Sequence, residues 1–249
     1  MEFENKTVIV TGGTKGIGRA AARRFCEEGA LVVVVSRHEA DCKAYVDELV
    51  EAGFRADWVA ADLSRVAEVV RMVATVVEGH GAIDVLVNNA GVNRRKPALE
   101  YTEDDWNDLV DINLKGAFFC AVECAKNMVA HKSGAIVNVS SLQGSIVLAG
   151  RTIYAATKGG IQQFTKGLAG ELAQSGIRVN AISPGFVRTP QVESVMADPQ
   201  WIELITSRTP MGRFAEPAEI AELIVFLASA RASYITGANI PIDGGWTAT

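Results

Sequence analysis

The chain has 249 residues, 49% hydrophobic and 21% charged, with a net charge of −5. No basic stripe of the kind a nucleic-acid surface needs is present, and no run approaches the ~18 uninterrupted apolar residues of a membrane-crossing helix. Met1 to Asn5 carry neither the basic nor the apolar region of an export signal. The expectation is a cytoplasmic protein whose partner is a small molecule, not a nucleic acid or a membrane.

In chain order, short β-branched runs over residues 7–10, 31–35, 56–60, 83–87, 135–139 and 177–182 alternate with stretches of helical period over 18–28, 39–52, 66–79, 114–128 and 154–174. Near-continuous apolar runs suit strands buried on both faces of a parallel sheet. Ile161, Phe164, Thr165, Leu168 and Leu172 share one face of the last helical stretch. Strands alternating with helices imply right-handed βαβ units, hence a Rossmann-like, doubly wound α/β sheet of about seven strands with helices on both faces. No linker or repeat divides the chain, so residues 1–249 read as one domain. The less regular 185–217, with Pro190, Pro199, Pro210 and a short amphipathic piece over 201–206, has the length of a substrate lid. Cys26, Cys42, Cys120 and Cys124 fall in helical stretches and read as buried reduced thiols. No His, Cys and carboxylate cluster has metal-ligand spacing, so no metal site is expected.

The first strand runs into Thr11-Gly12-Gly13-Thr14-Lys15-Gly16-Ile17-Gly18, and a helix follows at once. Glycines let backbone approach a pyrophosphate, and a helix N-terminus supplies free N–H groups and positive potential. An acid that bonds the ribose 2′-OH of NAD stands at the end of the second strand in many such folds. Here Ser36-Arg37 occupy that place. The Arg37 guanidinium suits a 2′-phosphate, and Lys15 adds a second cation, so NADP(H) is expected over NAD(H).

The spacing Thr-Gly-x-x-x-Gly-Ile-Gly resembles the fingerprint of the short-chain dehydrogenase/reductases. The resemblance continues through Asp62-Leu63, Asn88-Asn89-Ala90-Gly91, Asn113, Ser141, Tyr154-x-x-x-Lys158, Pro184-Gly185, Tyr234-Ile235-Thr236-Gly237 and Asp243-Gly244-Gly245. It implies a catalytic set of Asn113, Ser141, Tyr154 and Lys158. It further implies cofactor contacts from Gly12, Thr14, Lys15, Gly16, Ile17, Gly18, Asp62, Leu63, Asn89, Ala90, Gly91, Tyr154, Lys158, Pro184, Gly185, Val187 and Thr189. Family members are usually tetramers with two-fold interfaces.

Tyr154 and Lys158 lie one helical turn apart on one face. A phenol near pKa ~10 exchanges protons poorly at neutral pH, and a nearby ammonium favours the phenolate. Tyr154 is then a general acid in reduction and base in oxidation. Ser141 holds the substrate oxygen. Its neighbour Ser140 is the rival, because adjacent strand residues point to opposite faces. By the resemblance, Asn113 helps hold a water that links Lys158 to solvent.

Arg94, in the basic run Arg94-Arg95-Lys96, and Gln143, Arg151 and Phe186 are the candidate substrate contacts. Phe186, Met196, Trp201 and Met211 suggest a partly apolar pocket. Trp246 is either a core anchor or part of a tail reaching a neighbouring subunit. The reaction expected is alcohol–ketone interconversion on a small ketone or keto-sugar acid, with 3-oxoacyl-(acyl carrier protein) reduction as the alternative. A catalytically silent NADPH sensor would have no need of the four catalytic positions.

Overall fold

The computed structural model describes residues 1–192 and 197–248. Within them, β1 (Thr7–Thr11), β2 (Leu31–Ser36), β3 (Ala56–Ala60), β4 (Val85–Asn88), β5 (Gly134–Val139), β6 (Ile177–Pro184) and β7 (Asn239–Ile242) form one parallel sheet in the order β3-β2-β1-β4-β5-β6-β7. The helices are α1 (Gly16–Glu27), α2 (Glu39–Glu51), α3 (Val66–His80), α4 (Glu103–Val110), α5 (Ala117–His131), α6 (Thr152–Leu172), α7 (Pro199–Arg208) and α8 (Pro217–Ala228).

Because successive strand side chains point to opposite faces, a run of valines supplies two cores at once. In β2, Val32 and Val34 join Phe25 of α1, Leu49 of α2 and Ile224 of α8 on one face. Val33 and Val35 join Val69 of α3, Cys120 and Cys124 of α5 and Leu168 of α6 on the other. All four cysteines are buried free thiols. No described helix is long and apolar enough to cross a membrane. From β1 the connections run outwards to β2 and β3, then return across to β4 and onward, so the strand order reverses between β1 and β4. A crevice opens beyond the carboxyl ends of the strands at such a reversal.

Two elements depart from the sequence expectation. The helical stretch expected from 114 begins as a π-helical turn, Asp111–Gly116, before α5 becomes regular at Ala117. A side chain on Gly116 would come within 2.5 Å of Leu63 O, so this turn packs directly on the loop after β3. The 185–217 stretch contains α7 over Pro199–Arg208, longer than the piece expected, capped by Asp198 with Pro199 in the first turn. Trp246 is a core anchor: it packs with Leu142, Ile205 and Phe214 in a small third cluster beneath α7.

Candidate active site

The loop between β1 and α1 crosses the β1–β4 crevice. Gly12 and Gly16 have φ of +62° and +55°, a region that favours glycine. A Cβ on Gly12 would lie 2.9 Å from Ala90 Cα, and one on Gly18 would collide with Gly12 O and Asn89 Nδ2. Thr11 ties the two strand ends together. Its hydroxyl accepts from the N–H groups of Asn89 and Ala90 at 3.0 and 3.1 Å, and the Asn89 amide donates to the Thr11 and Gly12 carbonyls, each at 3.1 Å. The first turn of α1 carries no acid, and Lys15 makes no capping hydrogen bond, so the helix's leading N–H groups face the groove above the loop. Gly12, Gly16, Ile17, Asn89, Ala90 and Thr189 line that open groove. Bare backbone, positive φ and an open helix end fit a dinucleotide pyrophosphate.

Beside the loop, the ends of β1, β2 and β3 run in register, with Thr11 opposite Val35 and Ser36 opposite Ala60. Ser36 closes β2, and Arg37, which is exposed, and Asp62 follow the ends of β2 and β3. Burial alone would raise the Asp62 pKa, but hydrogen bonds from the Ser64 hydroxyl and N–H and the charge of Arg37 outweigh it and favour the carboxylate. Lys15 is paired with Asp41 at 3.1 Å. Thr14 and Leu63 are buried behind this surface.

A second cleft of about 840 Å³ continues from the groove and is lined by Ser141, Tyr154, Lys158, Pro184, Gly185 and Val187, among others. Gly185 is needed there because a side chain would meet Asp243 Cα at 2.8 Å. Both serines after β5 line this cleft, but their hydroxyls have different partners. The Ser140 hydroxyl donates to Lys158 O at 2.9 Å and is committed to α6, whereas the Ser141 hydroxyl accepts from Gln143 N–H at 3.2 Å and faces the cleft.

Lys158 differs from the expectation of a simple partner to Tyr154. Its ammonium donates to Val139 O at 2.8 Å and stands 5.7 Å from the centre of the tyrosine ring. Burial brings its pKa down to about 8. Burial also raises Tyr154, with the Ser141 hydroxyl and the Arg151 charge opposing, so the protein's own groups hold the phenol in its acid form. Asn113, fully buried in the π-helical turn, donates to Val92 O at 2.9 Å and accepts from Val92 N–H at 2.8 Å. A Cβ on Gly91 would lie 3.2 Å from Asn113 Oδ1 and 3.6 Å from Lys158 Nζ, so that glycine admits both groups beneath the loop.

Of the four candidate substrate contacts, Gln143, Arg151 and Phe186 line the cleft. Arg94 does not. Its guanidinium is engaged by Asp105 at 2.9 Å and by Asp108, and Lys96 also pairs with Asp105. These cations and the Thr102 backbone hold the Asp105 carboxyl far below its usual range. Arg95 stacks its guanidinium 4.1 Å above the Trp201 ring of α7. Exposed Met211 lies outside this cleft, and Met196 lies outside the described residues. Two residues not given a site role from the sequence take part in the clefts: Thr11 of the fingerprint, the clasp between β1 and β4, and Asn93, in the cleft wall.

The fold and this pair of continuous clefts define a dinucleotide-binding α/β oxidoreductase. A family model described as enoyl-(acyl carrier protein) reductase matches residues 12–247. The chain belongs to that family, the short-chain dehydrogenase/reductases. It is 39% identical over 245 residues to 3-oxoacyl-(acyl-carrier-protein) reductase FabG of Thermotoga maritima, covering 98% of this chain and 99% of that protein. It is 42% identical to oxidoreductase UcpA of Escherichia coli, covering 99% and 96%. Among solved structures it is similar to a gluconate 5-dehydrogenase from Burkholderia cenocepacia in complex with NADP and tartrate, with a TM-score of 0.97, 33% identity and coverage of 100% and 97%.

Proposed function

We propose that this chain interconverts a secondary alcohol and a ketone with NADP(H), in preference to NAD(H), and that its carbonyl substrate is a small ketone or keto-sugar acid. The observation that carries the reading is the convergence of Ser141, Tyr154 and Lys158 on a cleft continuous with the glycine-loop groove. Gly12, Gly16, Gly18, Asn89 and Thr189 would hold the dinucleotide, which when bound supplies hydride chemistry. Ser141 holds the substrate oxygen. Tyr154, kept protonated by burial, donates its proton to that oxygen in reduction and takes it back in oxidation. Lys158 returns the proton to Tyr154 from solvent, and Asn113 fixes the loop over it.

The test is NADPH consumption by the purified protein across keto acids, keto sugars, diketones and acetoacetyl thioesters. Absence of turnover with all of them sinks the reading and leaves a binding protein. The 39% identity to a 3-oxoacyl-(acyl-carrier-protein) reductase supports a second reading, which predicts acetoacetyl thioester as the best substrate of that panel.

Cofactor choice rests on Arg37. Arg37→Asp replaces the cation beside the ribose with the acid found in NAD-binding folds. Loss of a charge-assisted contact, about 1.5–3 kcal/mol, weakens NADPH some 10- to 100-fold while NADH binds as well or better. Equal losses in the two titrations contradict the assignment.

The activity also depends on pH. Lys158 is cationic below about 8 and loses its proton above it, while Tyr154 remains protonated through that range. The kcat/KM for reduction is expected to hold up to about pH 8 and decline beyond it. A profile that keeps rising through that pH excludes a role for the charged ammonium.

A further inference from the structure

Among the described residues three buried side-chain polar atoms have no hydrogen-bond partner: Asn93 Oδ1, Gln143 Oε1 and Arg151 Nε. All three residues line the cleft that contains Ser141 and Tyr154. Buried polar groups are satisfied in the great majority of cases, so three orphans in one cavity mark a surface shaped for the polar groups of a ligand.

Arg151 is the most telling. It is 7% exposed, and among the described residues its charged or ionisable neighbours are Arg95, Tyr154 and Tyr101, with no carboxylate among them. Nearby cations are provided for: Arg94 and Lys96 share Asp105, and Arg95 lies on Trp201. A buried cation without a counter-charge is costly, and here burial and then Arg95 work against the Arg151 charge. The planar guanidinium offers paired donors that match a carboxylate. Gln143 is 6% exposed and its N–H is held by the Ser141 hydroxyl at 3.2 Å. That bond fixes its backbone beside the position of the reacting oxygen, and its side chain lines the same cleft as Arg151. Hydroxyl groups both donate and accept, so they satisfy the amides of Gln143 and Asn93 in either orientation.

We propose that Arg151 anchors the carboxylate of the substrate while Gln143 and Asn93 bond its hydroxyls, so that the substrate class is a small hydroxylated keto acid. This rests on reading the cleft as the site of carbonyl reduction. It makes Arg151, rather than Arg94 of the basic loop, the residue that selects for an acid.

The experiment measures binding apart from turnover. The protein saturated with NADP⁺ is titrated calorimetrically with tartrate and gluconate and with their uncharged counterparts, threitol and sorbitol. At least one acid is expected to bind more tightly than its polyol. Arg151→Met is expected to weaken that acid by roughly 10- to 100-fold, the range for a hydrogen bond to a charged group, and Arg151→Lys restores part of the loss. Gln143→Glu, which keeps size but adds a negative charge beside the anchor, weakens the acid without touching Arg151. Thermal denaturation shows whether each variant is folded. Equal binding of acids and polyols, no binding of either acid, or acid binding unchanged in both Arg151→Met and Gln143→Glu overturns the assignment. Turnover that survives Tyr154→Phe overturns the proposed reaction instead, and leaves the binding results to decide on Arg151.

Discussion

Replacing Tyr154 by Phe is expected to lower NADPH-dependent reduction by ~10²–10⁴-fold, the usual contribution of a positioned general acid. The change deletes one oxygen from a part-buried ring and leaves its packing in α6 intact. On the proposed function the dinucleotide is held by the glycine loop across the crevice, so NADPH should still raise the melting temperature of the variant by the usual linkage. The kcat carries the loss, because the phenol acts on the developing alkoxide and not on the ground state. Turnover within a few-fold of wild type would remove Tyr154 from the reaction. Loss of NADPH binding together with turnover would instead mean that the substitution damages the cradle.

Gly18→Ala tests that cradle. Its added methyl collides with the Gly12 carbonyl and the Asn89 amide. Neither can yield cheaply, because Asn89 already holds the carbonyls of both Thr11 and Gly12 at 3.1 Å. Relief requires the loop to lift from the β4 end. Overpacking of this kind costs ~1–3 kcal/mol, and for a chain of this size each kcal/mol lowers the melting temperature by roughly 2–4 °C. Affinity for the dinucleotide should fall as well, since on the proposed function the displaced backbone is the surface that would meet the pyrophosphate. Gly79→Ala is the control: it sits in α3 with nothing within 4 Å of its new methyl, and a helical Gly-to-Ala change is neutral or stabilising. Matching melting curves for the two variants would show that Gly18 is not sterically constrained.

The strands from β1 to β6 were legible because they are short, mostly apolar runs, β-branched except in β3, with turn residues around them. The edge strand β7 was not placed in advance. Asn239–Ile242 contains Pro241 and is only partly buried, and a proline within a strand suppresses the pattern by which strands are read. The π-helical turn at Asp111–Gly116 was equally invisible, because its residues have ordinary helical character and only the packing of Gly116 on Leu63 O distinguishes it.

At the site, sequence spacing determined what depends on neighbours along one chain segment: a glycine loop opening a helix, and Tyr154 one turn from Lys158. Only the tertiary structure decided what depends on distant segments. It turned Ser140 into α6 and left Ser141 in the cleft. It sent the Lys158 ammonium to a β5 carbonyl, where burial governs its charge. It neutralised Arg94 with carboxylates of α4 and enclosed Arg151 without one among the described residues. The physical reason is common to all three. Periodicity encodes which face of an element is buried, whereas the partner of a buried charge or hydroxyl comes from whichever element packs against that face.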